Sequence, residues 1–232
     1  MRGRRSLGPA VLAFAMGMLL TLAIWDLASG EVAKRRQAKF DALVQTVQGA
    51  IRDRMLAYEQ ILLGGAGLIN ALGEVHRAQW ASYVASLDAQ KNYPGVHGVG
   101  FAEYVVPQNR DAFIRRMANQ GMPQYQIRPP GERDAYAPVT FLEPRTDRNL
   151  RAHGFDMLSE PVRQAAMLVA RDSGETAITA RLKLASEPNE SPVYGFLVYL
   201  PVYRIQVPLD TVDQRRQHLK GFVNSPFRMN DL

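Results

Sequence analysis

From residue 8 to residue 25 the chain reads GPAVLAFAMGMLLTLAIW, with no charged side chain. Carried across Asp26 to Leu27 and Ala28, the run reaches the ~20 residues that a helix needs to cross a bilayer's hydrocarbon core. Pro9 stands near the start, where a first helical turn tolerates it, and Trp25 stands where an interfacial aromatic would lie. Residues 8–28 are therefore expected to form a transmembrane helix behind a basic cytoplasmic segment, residues 1–7. A cleaved signal peptide ending at Ala28-Ser29-Gly30 is the alternative, but its apolar core would be long against the 7–15 residues usual for one. Arg2, Arg4 and Arg5 ahead of the run favour a cytoplasmic N-terminus, opposed by Lys34, Arg35 and Arg36 beyond it. The body is expected outside the cytoplasm, in the periplasm of a cell with an inner membrane.

Residues 29–72 read as one long stalk helix. Phe40, Val44, Val47, Ile51, Met55, Tyr58 and Leu62 recur at spacings of three and four, and no proline falls between residues 32 and 72. A stripe this narrow needs a cover, and a second copy of the chain is the economical one. A parallel homodimer through residues 40–62 is expected. Gly64, Gly65 and Gly67 are expected to weaken the helix thereafter.

Beyond the stalk the period changes. Trp80, Tyr83, Val84 and Leu87 fall on one helical face, and Asn92-Tyr93-Pro94-Gly95 signals a turn. Residues 99–106 are rich in β-branched and aromatic side chains before Pro107. Residues 110–121 predict a short helix closed by Gly121, and 125–128 and 139–142 predict short strands. Residues 160–173 predict a helix with Ser159 as its N-cap, Pro161 in its first turn and Gly174 after its end. Residues 177–184 and 195–203 predict the last two strands, joined by a loop over 186–192. Helices segregated from antiparallel strands give an α+β domain.

The +6 net charge is spread along the chain, with no basic stripe carrying interleaved aromatics, so no nucleic-acid partner is expected. Zero cysteines exclude a disulfide scaffold, thiolate metal sites and a cysteine nucleophile. No phosphate loop or GxSxG elbow occurs. Residues 95–100, GVHGVG, have the wrong spacing for a dinucleotide fingerprint and precede a strand. His76, His97, His153 and His218 are scattered, with no ligand-like offset, so neither metal nor cofactor is expected. Glu143, Asp147, Asp156 and Glu160 could supply an acid–base pair. An exported or anchored hydrolase using Glu143 and Glu160 is thus one alternative function, and a structural adaptor acting through its coiled stalk is another.

Several segments, read in order, carry a resemblance. They are Tyr93-Pro94-Gly95 with Gly98-Val99-Gly100-Phe101-Ala102, Tyr136-Ala137-Pro138-Val139 with Leu142-Glu143-Pro144, and Asn149. Then come Gly154-Phe155-Asp156-Met157, Glu160-Pro161-Val162-Arg163, Gly174, Thr179 and the run from Gly195 to Tyr203. Together they resemble the CHASE domain, the extracytoplasmic sensory module of bacterial sensor kinases, cyclic-di-GMP enzymes, nucleotide cyclases and plant cytokinin receptors. The resemblance implies a dimerising N-terminal helix carrying PAS-like α+β domains, the distal one taking a small-molecule ligand, and a non-enzymatic input role. It places the ligand domain at residues 73–205 and the start of a truncated membrane-proximal region at 206–232. The chain is then expected to be an input module apart from its output, two-component or cyclic-di-GMP. The pocket residues it suggests are Tyr136, Phe141, Asp147, Phe155, Asp156, Thr179, Phe196 and Tyr199, each with ordinary core or turn work as the alternative. Thr179 stands where the family has a strand threonine. Glu143-Pro144 and a long following loop replace the setting of the plant receptors' ligand aspartate, for which Asp147 is the stand-in, so a cytokinin is not implied.

Overall fold

The computed structural model describes residues 8–93, 95–186 and 194–228. The basic segment 1–7, Pro94 of the expected turn, residues 187–192 of the expected loop and the last four residues lie outside the described residues. The chain divides into two units, Met1–Asp53 and Arg54–Leu232.

In the first unit the described residues belong to helix α1 (Gly8–Leu72). Its apolar stretch Val11–Asp26 exposes its large described side chains, among them Leu12, Phe14, Leu19 and Trp25. Farther along, Phe40, Leu43, Val47 and Ile51 are also exposed. By length and composition, Lys34–Leu72 is the stretch of α1 long and apolar enough to cross a membrane, but a third of its most apolar window is buried inside the protein.

That burial belongs to the second unit. The expected stripe divides: Tyr58, Ile61, Leu62 and Ile69 of α1 are buried against the chain's own domain, leaving only its earlier members for a partner. The helix does not weaken at its glycines. A Cβ on Gly65 would lie 2.9 Å from the Trp80 ring, and one on Gly64 would run into the Tyr83 hydroxyl, so these glycines let other side chains press onto α1.

Helix α2 (Arg77–Ser86) delivers Trp80, fully buried, whose Nε1 donates to the Val99 carbonyl at 3.1 Å. The short α3 (Ala89–Asn92) leads to β1 (Val99–Glu103); α4 (Arg110–Asn119) and β2 (Val139–Glu143) follow. Next come α5 (Asp147–Leu150), α6 (Pro161–Ser173), β3 (Ala177–Ile178), β4 (Leu182–Lys183) and β5 (Tyr194–Tyr203). Helix α7 (Val212–His218) and β6 (Leu219–Arg228) complete the order. Residues 125–128, expected as a strand, form only an isolated bridge between Arg128 and Phe155.

The strands make one antiparallel sheet in the order β2-β1-β6-β5-β3, with β4 also on β5. Of the region expected at 206–232, the described residues 206–228 therefore belong to the same sheet domain. They supply α7 and the sheet's interior strand β6, which pairs with β1 on one side and β5 on the other. Side chains alternate across the pleat. Phe196, Val198 and Leu200 of β5 join Val223 and Phe227 of β6 in the core under α1 and α2. Leu197 and Tyr199 join Phe222 in the core under α6. A third cluster places Phe113 and Met117 of α4 against Tyr125, Ile127 and Tyr136. Lys220 of β6 donates to the carbonyls of Ile69 (3.3 Å) and Gly73 (2.9 Å), tying the sheet to the C-terminal end of α1.

Candidate functional site

Helix α6 sets the geometry on its face of the sheet. Its N-cap is Glu160, not Ser159: the Glu160 carboxylate accepts from the backbone N–H of Val162 (3.0 Å) and Arg163 (3.1 Å), while the Ser159 hydroxyl bonds the Asp156 carbonyl. Pro161 preforms the first turn, and Gly174 closes the helix with φ +81°. Met167 and Ala170 face the sheet.

One turn in, Arg163 is buried, 4% exposed. Its guanidinium donates to Glu160 at 3.0 Å and to the Lys183 carbonyl at 2.7 Å, and it lies over the Phe155 ring at 5.1 Å. Beneath it is Tyr199, fully buried, its hydroxyl donating to the Met157 sulfur at 3.2 Å. Burial pushes the Tyr199 phenol up, so it stays a neutral donor.

Asp156 is fully buried beside this cluster. Its Oδ1 accepts from the backbone N–H of Ala137 (2.8 Å) and Leu158 (3.1 Å). Oδ2 has no hydrogen-bond partner, although Arg133 Nη1 stands 3.5 Å away. Burial raises the Asp156 carboxyl above its ordinary range, against the opposing pull of those two N–H groups and Arg133. Arg133 also lies over the ring of Tyr136, whose hydroxyl donates to the Gly131 carbonyl. Thr179 is buried, its Oγ1 accepting from the Leu197 N–H at 3.0 Å.

The expected pocket residues thus fall into three places. Phe155, Asp156, Thr179 and Tyr199 lie on the α6 side, with Arg163 over Phe155 and Arg133 beside Asp156, and Tyr136 stands at its margin, packed in the α4 cluster under Arg133. Phe141 and Phe196 lie in the core under α1 and α2, where Phe141 stacks on Trp80 and Phe196 on Phe227. Asp147 is an exposed first residue of α5. It lines a cleft of about 940 Å³ between α2, residues 95–99 and residues 143–149. Val84 and Val96 give that cleft an apolar floor, and Glu143, its carboxyl raised by burial, stands at the end of β2.

Sequence reasoning missed Arg163 and Arg133. Arg163 had a signal, the three-residue spacing from Glu160 at a helix start. Arg133 had none, because its partner Asp156 is distant in sequence. The two carboxylates of the hydrolase reading are not brought together. Glu143 lines the α2 cleft, whereas Glu160 is occupied by the α6 N-terminus and Arg163.

Comparison with known proteins bears on what this arrangement serves. The family model described as "CHASE domain" matches residues 73–232. A hybrid signal transduction histidine kinase A from Dictyostelium discoideum is 28% identical over 152 residues. The match covers 64% of this chain but 6% of that kinase, so the chain corresponds to a small part of its relative.

Proposed function

The chain belongs to the CHASE family, whose members are sensory input domains of signalling receptors, and on that premise we propose that it is a membrane-anchored receptor module. Its body lies in the periplasm or an equivalent extracytoplasmic space of a cell's inner membrane. Residues 8–28 span that membrane, and a small-molecule ligand, not a chemical reaction, is the input. The single observation that carries this reading is the CHASE match over residues 73–232 downstream of a helix whose Val11–Asp26 stretch is apolar and exposed.

The ligand site is on the α6 side of the sheet. There Tyr136, Phe155, Asp156, Thr179 and Tyr199 offer aromatic faces, a hydroxyl donor and a carboxylate oxygen that lacks a hydrogen-bond partner. A buried polar group in that state favours an occupant that completes its hydrogen bonds. Occupancy shifts the arrangement of the strands only by the ligand's difference in affinity for two states, and α1, seated on the same sheet, carries the change. The output joined to this input is of the two-component or cyclic-di-GMP kind.

The absence of cysteine makes the topology directly testable. A single cysteine at the exposed position Gln108 is expected to react with a membrane-impermeant maleimide in intact cells. Reaction only after lysis would overturn the extracytoplasmic assignment. For the site, a compound from a metabolite panel that raises the melting temperature of the wild-type chain is expected to lose that effect in Thr179→Val and Asp156→Asn. Retention in both would move the ligand elsewhere.

A further inference from the structure

A recess of about 410 Å³ lies between residues 121–128 and residues 145–153, apart from the α6 site and the α2 cleft. Its charged lining is of one sign, Arg128 and Arg145, joined by His153 and by no carboxylate. The other large cavities mix their charges. Glu74 and Glu103 face Arg116 and Lys220 in one, and Glu143 and Asp147 accompany Arg148 in the other.

Each base is placed differently. Arg128 is pinned, its Nη2 donating to the carbonyls of Arg151 (2.8 Å) and His153 (2.7 Å). Arg145 is an exposed side chain on the loop after β2. The carboxylate that feels its charge, Glu143, lines the α2 cleft and not this recess. His153 lines the recess, and its Nε2 is buried with no hydrogen-bond partner. Convergent bases around a concavity with an unpaired imidazole nitrogen are the complement of a compact anion with oxygen acceptors.

We propose that this recess binds a small soluble oxyanion, a phosphate or carboxylate group, held by the exposed Arg128 and Arg145 together with His153. The charges of Arg145, Arg77 and Arg128 disfavour the protonated imidazole, and a hydrogen bond with the Leu142 backbone favours it. Burial, with those three guanidinium groups, holds the ring below its ordinary range and neutral. An anion cancels the repulsion, so its arrival draws a proton onto His153, and affinity rises as pH falls through the imidazole range.

The test uses the full-length chain in detergent at fixed ionic strength, titrated calorimetrically with inorganic phosphate and, separately, acetate. Saturable binding of either is expected, and that of acetate, whose charge does not change over the range, is expected to be tighter at about pH 6 than at about pH 8. Arg145→Gln, an exposed change whose folding is checked by melting, is expected to weaken it roughly tenfold or more. His153→Gln is expected to abolish the pH dependence. Arg216→Gln, a distant exposed cation, should change nothing. No saturable binding of either anion, or binding unaltered in Arg145→Gln, overturns the proposal. Binding confined to phosphatidylglycerol vesicles overturns the assignment to a soluble solute. Because none of these residues belongs to the α6 site, either result leaves that reading standing.

Discussion

Two glycines in α1 permit a measurement with an internal control. Gly65 and Gly67 occupy the same helix, and alanine at either removes the same conformational penalty, a gain of about 0.8–1.0 kcal/mol. At Gly67 a Cβ meets nothing within 4 Å, so Gly67→Ala is expected to stabilise the protein by about 1 kcal/mol. At Gly65 the same methyl would lie 2.9 Å from Trp80 Cη2 and 3.2 Å from Val223 Cγ1. Trp80 cannot yield cheaply: its ring is fully buried, held by its bond to the Val99 carbonyl and stacked on Phe141. Overpacking of this kind costs about 1–3 kcal/mol. Gly65→Ala is therefore expected to lie between neutral and about 2 kcal/mol destabilising, and below Gly67→Ala by about 1–3 kcal/mol. Urea unfolding followed by Trp80 fluorescence, on a Trp25→Phe background, reads the difference directly. If the two variants agree within about 0.5 kcal/mol, α1 is not seated on Trp80 and the account of this core is wrong.

Two further outcomes are expected. Asp172 accepts from Arg216 Nη2 at 2.6 Å and Arg171 Nε at 2.7 Å, and these guanidinium groups, Arg216 foremost, hold its carboxyl far below the usual range. A depressed carboxyl contributes stability above its unfolded pKa, about 3.9, and loses it as pH falls toward the folded value. Asp172→Asn should be less stable near neutrality and should show a flatter acid limb in melting temperature against pH; parallel curves would contradict the clamp. For the stalk, Val47→Asp with Ile51→Asp, at side chains 49% and 57% exposed, should abolish chemical crosslinking of the full-length chain in membranes. Unchanged crosslinking, or none in the wild-type chain, would overturn the expected homodimer through this stretch.

The elements legible in sequence are those whose local chemistry and tertiary role agree. Helix α6 announces itself by Pro161, its apolar positions and Gly174, and β5 by a continuous apolar run. Strand β6 conceals itself because Gly221, Asn224, Ser225 and Pro226 read as turn residues. Tertiary contact overrides them. Gly221 lies where a Cβ would collide with the Ala102 carbonyl, and Ser225 donates to the Gly98 carbonyl at 2.8 Å. The same holds for Gly64 and Gly65, where close approach and not a break in the helix is the reason for glycine. Among the expected site residues the aromatic and buried character was readable, but the face was not. Phe196 and Tyr199 are an odd number of residues apart on one strand, and strict alternation separates them across the sheet. Asp147 stands apart from the other expected site residues, on the α2 cleft, because a carboxylate in a loop carries no record of which face the chain folds it onto.

The position of β6 has a consequence for biogenesis. The first strand, paired with the second, and the fifth, paired with the third and fourth, do not touch each other; the sixth joins them, where Gly100 meets Asn224 and Tyr199 meets that same asparagine from the other side. Until that strand emerges, a newly made chain holds two separate ribbons, each with a bare edge open to strangers. Closure joins residues more than half the chain apart, a slow step by the logic of loop entropy. The sheet is thus closed by the strand that comes last among the described residues, and until it pairs the two ribbons keep open edges that another strand can take.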